Sequence, residues 1–250
     1  MLPVNIDIII LSYAKDENLR NLTIQTISTL LDSEDPEKVH FNVLVIESNK
    51  ALRPYQYANA TTIYPNETFG FHKYLNIGIK ATTNSYICLC NNDLVFHKGW
   101  AGEILKAMDN DKELLSAAPC LPGYSFNDKI PIGNESKLDG YFGVLFGWCI
   151  FVKREIFNTI GMLDENFAFW YADYDYVYTL KKHNLKNSLI PSSIVNHLGS
   201  GSWNTIDKTE HNKLTQIPRI YFNYKWHHRS YTRYKLETLF FKIKALLGPN

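Results

Sequence analysis

Apolar positions along this chain fall into two alternating textures. Short unbroken runs rich in β-branched side chains (Ile6–Leu11, Phe41–Ile46 and Tyr86–Cys90) each stop on small polar residues, and Thr61–Tyr64 is a shorter run of the same kind. Between them, apolar residues recur at helical spacing: Leu19, Leu22, Ile27, Leu30 and Leu31, then Phe71–Ala81, then Trp100–Met108. Unbroken apolar runs suit strands covered on both faces, and their alternation with helices predicts parallel βαβ units with right-handed crossovers. After Pro119 the texture changes. Residues 121–140, rich in Gly, Pro, Asn and Asp, read as an excursion or loop over a site. A strand-like stretch follows at Tyr141–Val152, then a short helix at Arg154–Ile160 and a turn at Gly161-Met162-Leu163-Asp164-Glu165. A helix is expected over Asp173–His183, with strands at Ser188–Ile190 and Ile194–His197. In the tail, Thr232–Leu247 puts Leu236, Leu239, Phe240, Ile243, Leu246 and Leu247 on one helical face.

With 250 residues and 45% apolar content, the chain suits one sizeable domain with a short appendage. No apolar run is long enough to predict a transmembrane helix, and Met1–Ile10 carries Asp7 without a basic segment, so it reads as a buried strand rather than a secretory signal. Four cysteines without a Cys-x-x-Cys pair argue against zinc and disulfides and fit a reducing, cytoplasmic setting. The formal charge of +1 hides an asymmetry. From His211 onward eight Lys/Arg face Glu237 alone, so the tail carries +7 and the rest −6. Such a tail suggests an anionic partner, although a solvated basic helix would read the same way. The apolar stripe is expected to pack on the preceding domain or a second subunit, with the charges drawing a partner or a peripheral membrane contact.

The most telling run is Tyr86–Asp93, where an apolar strand stops on Asn91, Asn92 and Asp93. Open α/β sheets bind ligands at such strand ends. Two amides and a carboxylate can hydrogen-bond a ribose and hold a hard cation against a diphosphate, whereas an ordinary Asn/Asp turn is the plainer account. Ser12, Tyr13 and Glu47 end the first two strands beside the same expected crevice, where they can contact base and ribose; Asn76 offers amide donors and an acceptor.

In order and spacing these blocks resemble family 2 glycosyltransferases of the GT-A fold, especially the rhamnosyltransferase-like branch. The resemblance rests on Ser12-Tyr13 and Glu47-Ser48-Asn49, Gly70 and Asn76-Ile77-Gly78, Asn91-Asn92-Asp93, Gly147-Trp148-Cys149, Asp173-Tyr174-Asp175 and His197-Leu198-Gly199-Ser200, over residues 6–205. It implies a Rossmann-like mixed sheet flanked by helices, a donor-nucleotide half (1–97), an acceptor and catalytic half (98–205), and a basic C-terminal helical extension (206–250). It also implies an inverting transfer from a UDP- or dTDP-sugar to a hydroxyl on a glycan, a lipid-linked sugar or another acceptor. Ser12, Tyr13, Glu47, Asn76, Asn91 and Asn92 would line the donor. Mn²⁺ or Mg²⁺ would sit on Asp93 and His197, imidazole favouring Mn²⁺. Asp173 would be the general base, next to aromatic residues that raise a carboxylate's basicity, while Asp175 and Asp164-Glu165 would support structure. Trp148, Trp170 and Tyr171 are candidates for the acceptor surface. Two departures stand out: Asn91 replaces the first carboxylate of the family's Asp-x-Asp motif, and Ala172 replaces a usual Glu. The rivals are an inactive sugar-nucleotide-binding protein, which Ala172 favours mildly, and a nucleotidyltransferase, whose Gly-rich basic loop is not matched by Ser12-Tyr13-Ala14-Lys15-Asp16.

Overall fold

In a computed structural model, residues 2–123, 145, 147–199 and 208–247 are described, without the side chains of 208–213 and 244–247. Most of the 121–140 excursion, and the 141–144 start of the strand expected there, lie outside them. The first half alternates as expected: β1 (Val4–Ser12), α1 (Glu17–Asp32), β2 (Val39–Glu47), a 3-10 turn (Lys50–Leu52), β3 (Thr61–Ile63), α2 (Phe71–Ala81) and β4 (Tyr86–Asn91). Then come β5 (Leu94–Phe96), α3 (Trp100–Asn110), β6 (Leu114–Cys120), β7 (Cys149–Lys153), α4 (Ile156–Ile160), α5 (Ala172–Lys182), β8 (Lys186–His197), α6 (Lys208–Trp226) and α7 (Tyr231–Leu247).

The strands form one sheet in the order β3-β2-β1-β4-β7-β6-β8-β5. Its first four are parallel, β7 runs antiparallel to β4 and β6, and β6 pairs in parallel with β8. Every residue from Ile6 to Ser12 is buried, because successive side chains enter opposite cores. Ile8 and Ile10 join Ile27 and Leu30 of α1 and Trp100, Ile104 and Met108 of α3. Ile9 and Leu11 join Tyr74, Leu75 and Ile79 of α2, Ile156 of α4, and Tyr176 and Leu180 of α5. Gly78 lets α2 lie directly on β1, since a β-carbon there would come 2.5 Å from Ile9 Cγ2.

Several expectations are corrected. The strands expected at Ser188–Ile190 and Ile194–His197 are one strand, β8, whose pairing with β6 shifts register between Ile190 and Ile194. The β7 strand starts at Cys149, β5 was not anticipated, and the 206–250 extension holds two helices, α6 and α7, where only Thr232–Leu247 was outlined. The tail's apolar stripe does not pack on the rest of the described chain: Leu236, Leu239, Phe240 and Ile243 are 46–71% exposed, while the side chains of Leu246 and Leu247 lie outside the described residues. Cys88, Cys90 and Cys149 do gather, with sulfurs within 4.8 Å of one another, because Cys88 and Cys90 share one face of β4 and Cys149 pairs with Cys90 across β7. All three are free and lie in the apolar core, where burial pushes the Cys88 and Cys149 thiols up.

Candidate active site

The chain leaves β1 toward β2 on one side and toward β4 on the other, so a crevice opens at the C-terminal ends of these parallel strands. Register sets Ser12 beside Glu47 and Leu11 beside Asn91. Glu47 is fully buried and braces this edge. Its Oε1 accepts from the backbone N–H groups of Ala14 (3.1 Å) and Asn49 (2.8 Å), and its Oε2 from the Tyr57 hydroxyl (2.9 Å). Ser12 Oγ lies 2.9 Å from Thr23 Oγ1 and 3.2 Å from Tyr57 Oη. Both side chains thus hold the loops behind the crevice, while Tyr13 stands 42% exposed at its mouth. Asn76 is buried and bonded within the protein. Its amide donates to the Leu163 carbonyl (2.9 Å) and to Glu165 Oε1 (3.1 Å), and its oxygen accepts from Leu163 N–H, so it ties α2 to the 163–165 turn.

At the end of β4 the chain turns through Asn91, Asn92 and Asp93 into β5. Asn91 N–H donates to the Trp148 carbonyl and Asn92 Nδ2 to Thr23 Oγ1, both at 2.9 Å. Thr26, buried on α1, clamps the turn from below. Its hydroxyl lies 2.8 Å from the Asn92 carbonyl and accepts from Leu94 N–H at 3.0 Å. The sequence reading missed this residue, although Thr23 and Thr26, three apart on the buried face of an apolar helix, were its signal. On the opposite side, β8 ends at His197, which pairs with Leu94, and Leu198 N–H donates to the Asp93 carbonyl at 2.9 Å.

This framing brings together two side chains about a hundred residues apart. His197 Nε2 lies 3.2 Å from Asp93 Oδ1, and the Trp148 indole stacks on the imidazole with centroids 5.5 Å and planes 15° apart. Asp93 is buried, yet among the described residues its Oδ1 accepts no hydrogen bond. An orphaned buried carboxylate oxygen is costly, and facing an imidazole nitrogen it fits a divalent cation that accepts oxygen and nitrogen donors.

Trp148 also links this pair to Asp173. Its neighbour Gly147 lies so close to α5 that a β-carbon there would stand 2.6 Å from Asp173 Cβ. Asp173 sits in the first turn of α5, after Tyr171 in the left-handed conformation (φ 66°). Such backbone in a bulky residue is strained and recurs at functional sites. Burial raises the Asp173 carboxyl above the ordinary aspartate value, against a hydrogen bond from Tyr174 N–H at 2.9 Å. Asp175 points elsewhere: its Oδ1 accepts from Trp226 Nε1 (2.7 Å) and faces Lys225 Nζ (2.8 Å), which also contacts Asp164 Oδ2 at 2.8 Å. Lys225 therefore docks α6 on α5 and the 163–165 turn, and Phe222 packs against Tyr171, Tyr174 and Tyr178. Trp170 is 44% exposed near Asp173, whereas Tyr171 is partly covered by Phe222.

This is an α/β crevice with a carboxylate–imidazole pair at the strand ends and, packed against Gly147, a buried carboxylate whose proton affinity burial raises. Residues 7–161 match the profile of glycosyl transferase family 2, so the chain belongs to that family and is a glycosyltransferase that draws on a nucleotide-sugar donor. Solved structures share the fold. The catalytic domain of Drosophila beta1,4-galactosyltransferase 7, in complex with xylobiose, aligns at TM-score 0.54 and 11% identity over 85% of this chain and 79% of its own. The mannosyltransferase PcManGT of Pyrobaculum calidifontis, with GDP-Man and Mn²⁺, aligns at 0.61 and 13% over 90% and 65%. GalNAc-T7, with UDP, GalNAc and Mn²⁺, aligns at 0.60 and 12% over 86% of this chain and 48% of its own. Comparison with curated proteins gives no match.

Proposed function

We propose that the protein is an inverting, metal-dependent glycosyltransferase acting on a UDP- or dTDP-sugar, dTDP-rhamnose among them. The observation that carries this reading is the buried, unbonded Asp93 Oδ1 facing His197 Nε2 at the ligand-binding edge of the sheet. Two structural neighbours were solved with Mn²⁺, one together with GDP-Man and the other with UDP and GalNAc, which supports the choice of cofactor. Asp93 and His197 would hold Mn²⁺ or Mg²⁺. When bound, the ion neutralises charge on the departing diphosphate.

The remaining steps fall to side chains. Tyr13 and Asn91 contact base and ribose from the open side, while Ser12, Glu47 and Asn92 fix the walls that receive them. Asp173 takes the proton from the acceptor hydroxyl as its oxygen attacks the anomeric carbon. The carbon–oxygen bond to the diphosphate breaks on the opposite face, so configuration inverts and the nucleoside diphosphate leaves. Asp173 suits this work because burial makes it a better base. Trp170, with Trp148 and Tyr171 behind it, offers an aromatic surface to a glycan or lipid-linked sugar acceptor. In this reading residues 1–97 hold donor, 98–205 hold acceptor and catalysis, and 206–250 form an extension.

Thermal-shift screening of the full chain against nucleotide-sugars, with and without Mn²⁺, tests the reading, because ligands of the native state raise the melting temperature. The expected result is a shift with one nucleotide-sugar class that requires Mn²⁺, followed by transfer or slow hydrolysis of that donor. Binding without any turnover would favour an inactive sugar-nucleotide-binding protein, and no shift with any donor would contradict both readings.

A further inference from the structure

The tail helices differ in what covers them. α6 is fastened to α5 and the 163–165 turn by Phe222, Lys225 and Trp226. α7 folds back onto α6 through one face only. Tyr234 stacks on Tyr224 at 4.9 Å, Glu237 accepts from Arg229 and Arg233, and Thr238 and Phe241 are half-buried beside them. At 3.6 residues per turn the opposite face carries Leu236, Leu239, Phe240 and Ile243 at positions i, i+3, i+4 and i+7, from 46% (Ile243) to 71% (Phe240) exposed. Lys235 and Lys242 border this stripe on one side and Arg233 on the other. Lys235 and Lys242 have no acidic partner among the described residues.

We propose that α7 docks the enzyme on an anionic phospholipid bilayer, its apolar stripe lying in the interfacial zone and its cations among the headgroups. Charge selects this occupant. The tail from His211 carries +7 on a chain of net charge +1, and Glu237 is already taken by Arg229 and Arg233. A second copy laid on the same face would set lysine against lysine, whereas an anionic surface complements both borders. Such helices bind through buried apolar area together with attraction to anionic lipid. The contact is peripheral: among the described residues no helix is long and apolar enough to cross a membrane.

Co-sedimentation of the full chain with vesicles of phosphatidylcholine alone, or mixed with phosphatidylglycerol, tests the docking without reference to activity. Expected is salt-sensitive binding to the mixed vesicles only. Removing Lys235 and Lys242 together (K235A/K242A) should weaken it by about fivefold per lysine, since each basic residue near the surface contributes about 1 kcal/mol. Leu239→Glu with Phe240→Glu should abolish it while the circular dichroism spectrum and melting temperature stay unchanged, because both side chains are exposed. Absence of binding, equal binding to neutral vesicles, or unimpaired binding by the L239E/F240E protein would overturn the proposal. A dimer in light scattering that this double variant dissociates, without vesicle binding, would assign the stripe to a second copy instead.

Discussion

Asp173 carries two opposed effects in one carboxylate. Burial raises its proton affinity in the folded state above the unfolded value. Between those two values the folded protein therefore binds more protons, and stability falls as pH rises through that window. The cost is present above the raised, folded-state value and vanishes below the ordinary aspartate range. Asp173→Asn should thus lower the transfer rate by about 10²–10⁴ while leaving donor affinity intact. It should also raise the melting temperature at pH 7, but not at pH 3.5; lost donor binding, or a lower melting temperature at pH 7, would argue against the assigned role. His72 has the opposite sign. Burial depresses its imidazole to about 4 while Nδ1–H donates to the Asp164 carbonyl. Unfolding then takes up a proton between about pH 6.5 and 4, and stability drops by about 3 kcal/mol as pH falls through that range. Denaturant midpoints at pH 7 and 4.5 should diverge in the native protein and converge in His72→Gln.

At the scale of elements, the legible part of the sequence was the part governed by periodicity. α2 occupies Phe71–Ala81 as expected, because its apolar spacing and the small Gly78 against Ile9 both speak locally. Asn91-Asn92-Asp93 was legible because a buried strand must release its polar residues at its end. What escaped depended on partners distant in sequence. β5 has three residues and exists by pairing with the end of β8. Asn76 looks like an exposed polar residue until Leu163 arrives, and Thr26 like a helix interior until the Asp93 turn does. The exposed stripe of α7 escaped for a different reason. Spacing identifies an apolar face but does not say what covers it. Thr26→Val keeps the shape of the clamp yet leaves the buried Leu94 N–H without its acceptor. It should destabilise the protein by about 1–3 kcal/mol and weaken Mn²⁺ binding; an unchanged urea midpoint with an unchanged Mn²⁺ titration would show that Thr26 does not hold the turn.

For the whole molecule, the sheet organises the chemistry by bringing independent segments to one edge. The β4–β5 turn supplies Asp93, β8 supplies His197, the approach to β7 supplies Gly147 and Trp148, and the start of α5 supplies Asp173. α6 then closes over α5 through Lys225 and its two carboxylates, which makes α6 part of the support of the 164–182 segment. The central claim is that this edge holds a divalent ion against a nucleoside diphosphate. Mn²⁺ titration followed by electron paramagnetic resonance, with UDP or dTDP present, tests it most directly on the native protein, Asp93→Ala and His197→Ala. A bound, nucleotide-dependent Mn²⁺ signal is expected in the native protein. It should disappear in Asp93→Ala and weaken by about tenfold or more in His197→Ala, taking the loss on removing a supporting group as the lower guide. Native-like Mn²⁺ binding by the folded Asp93→Ala protein would contradict it.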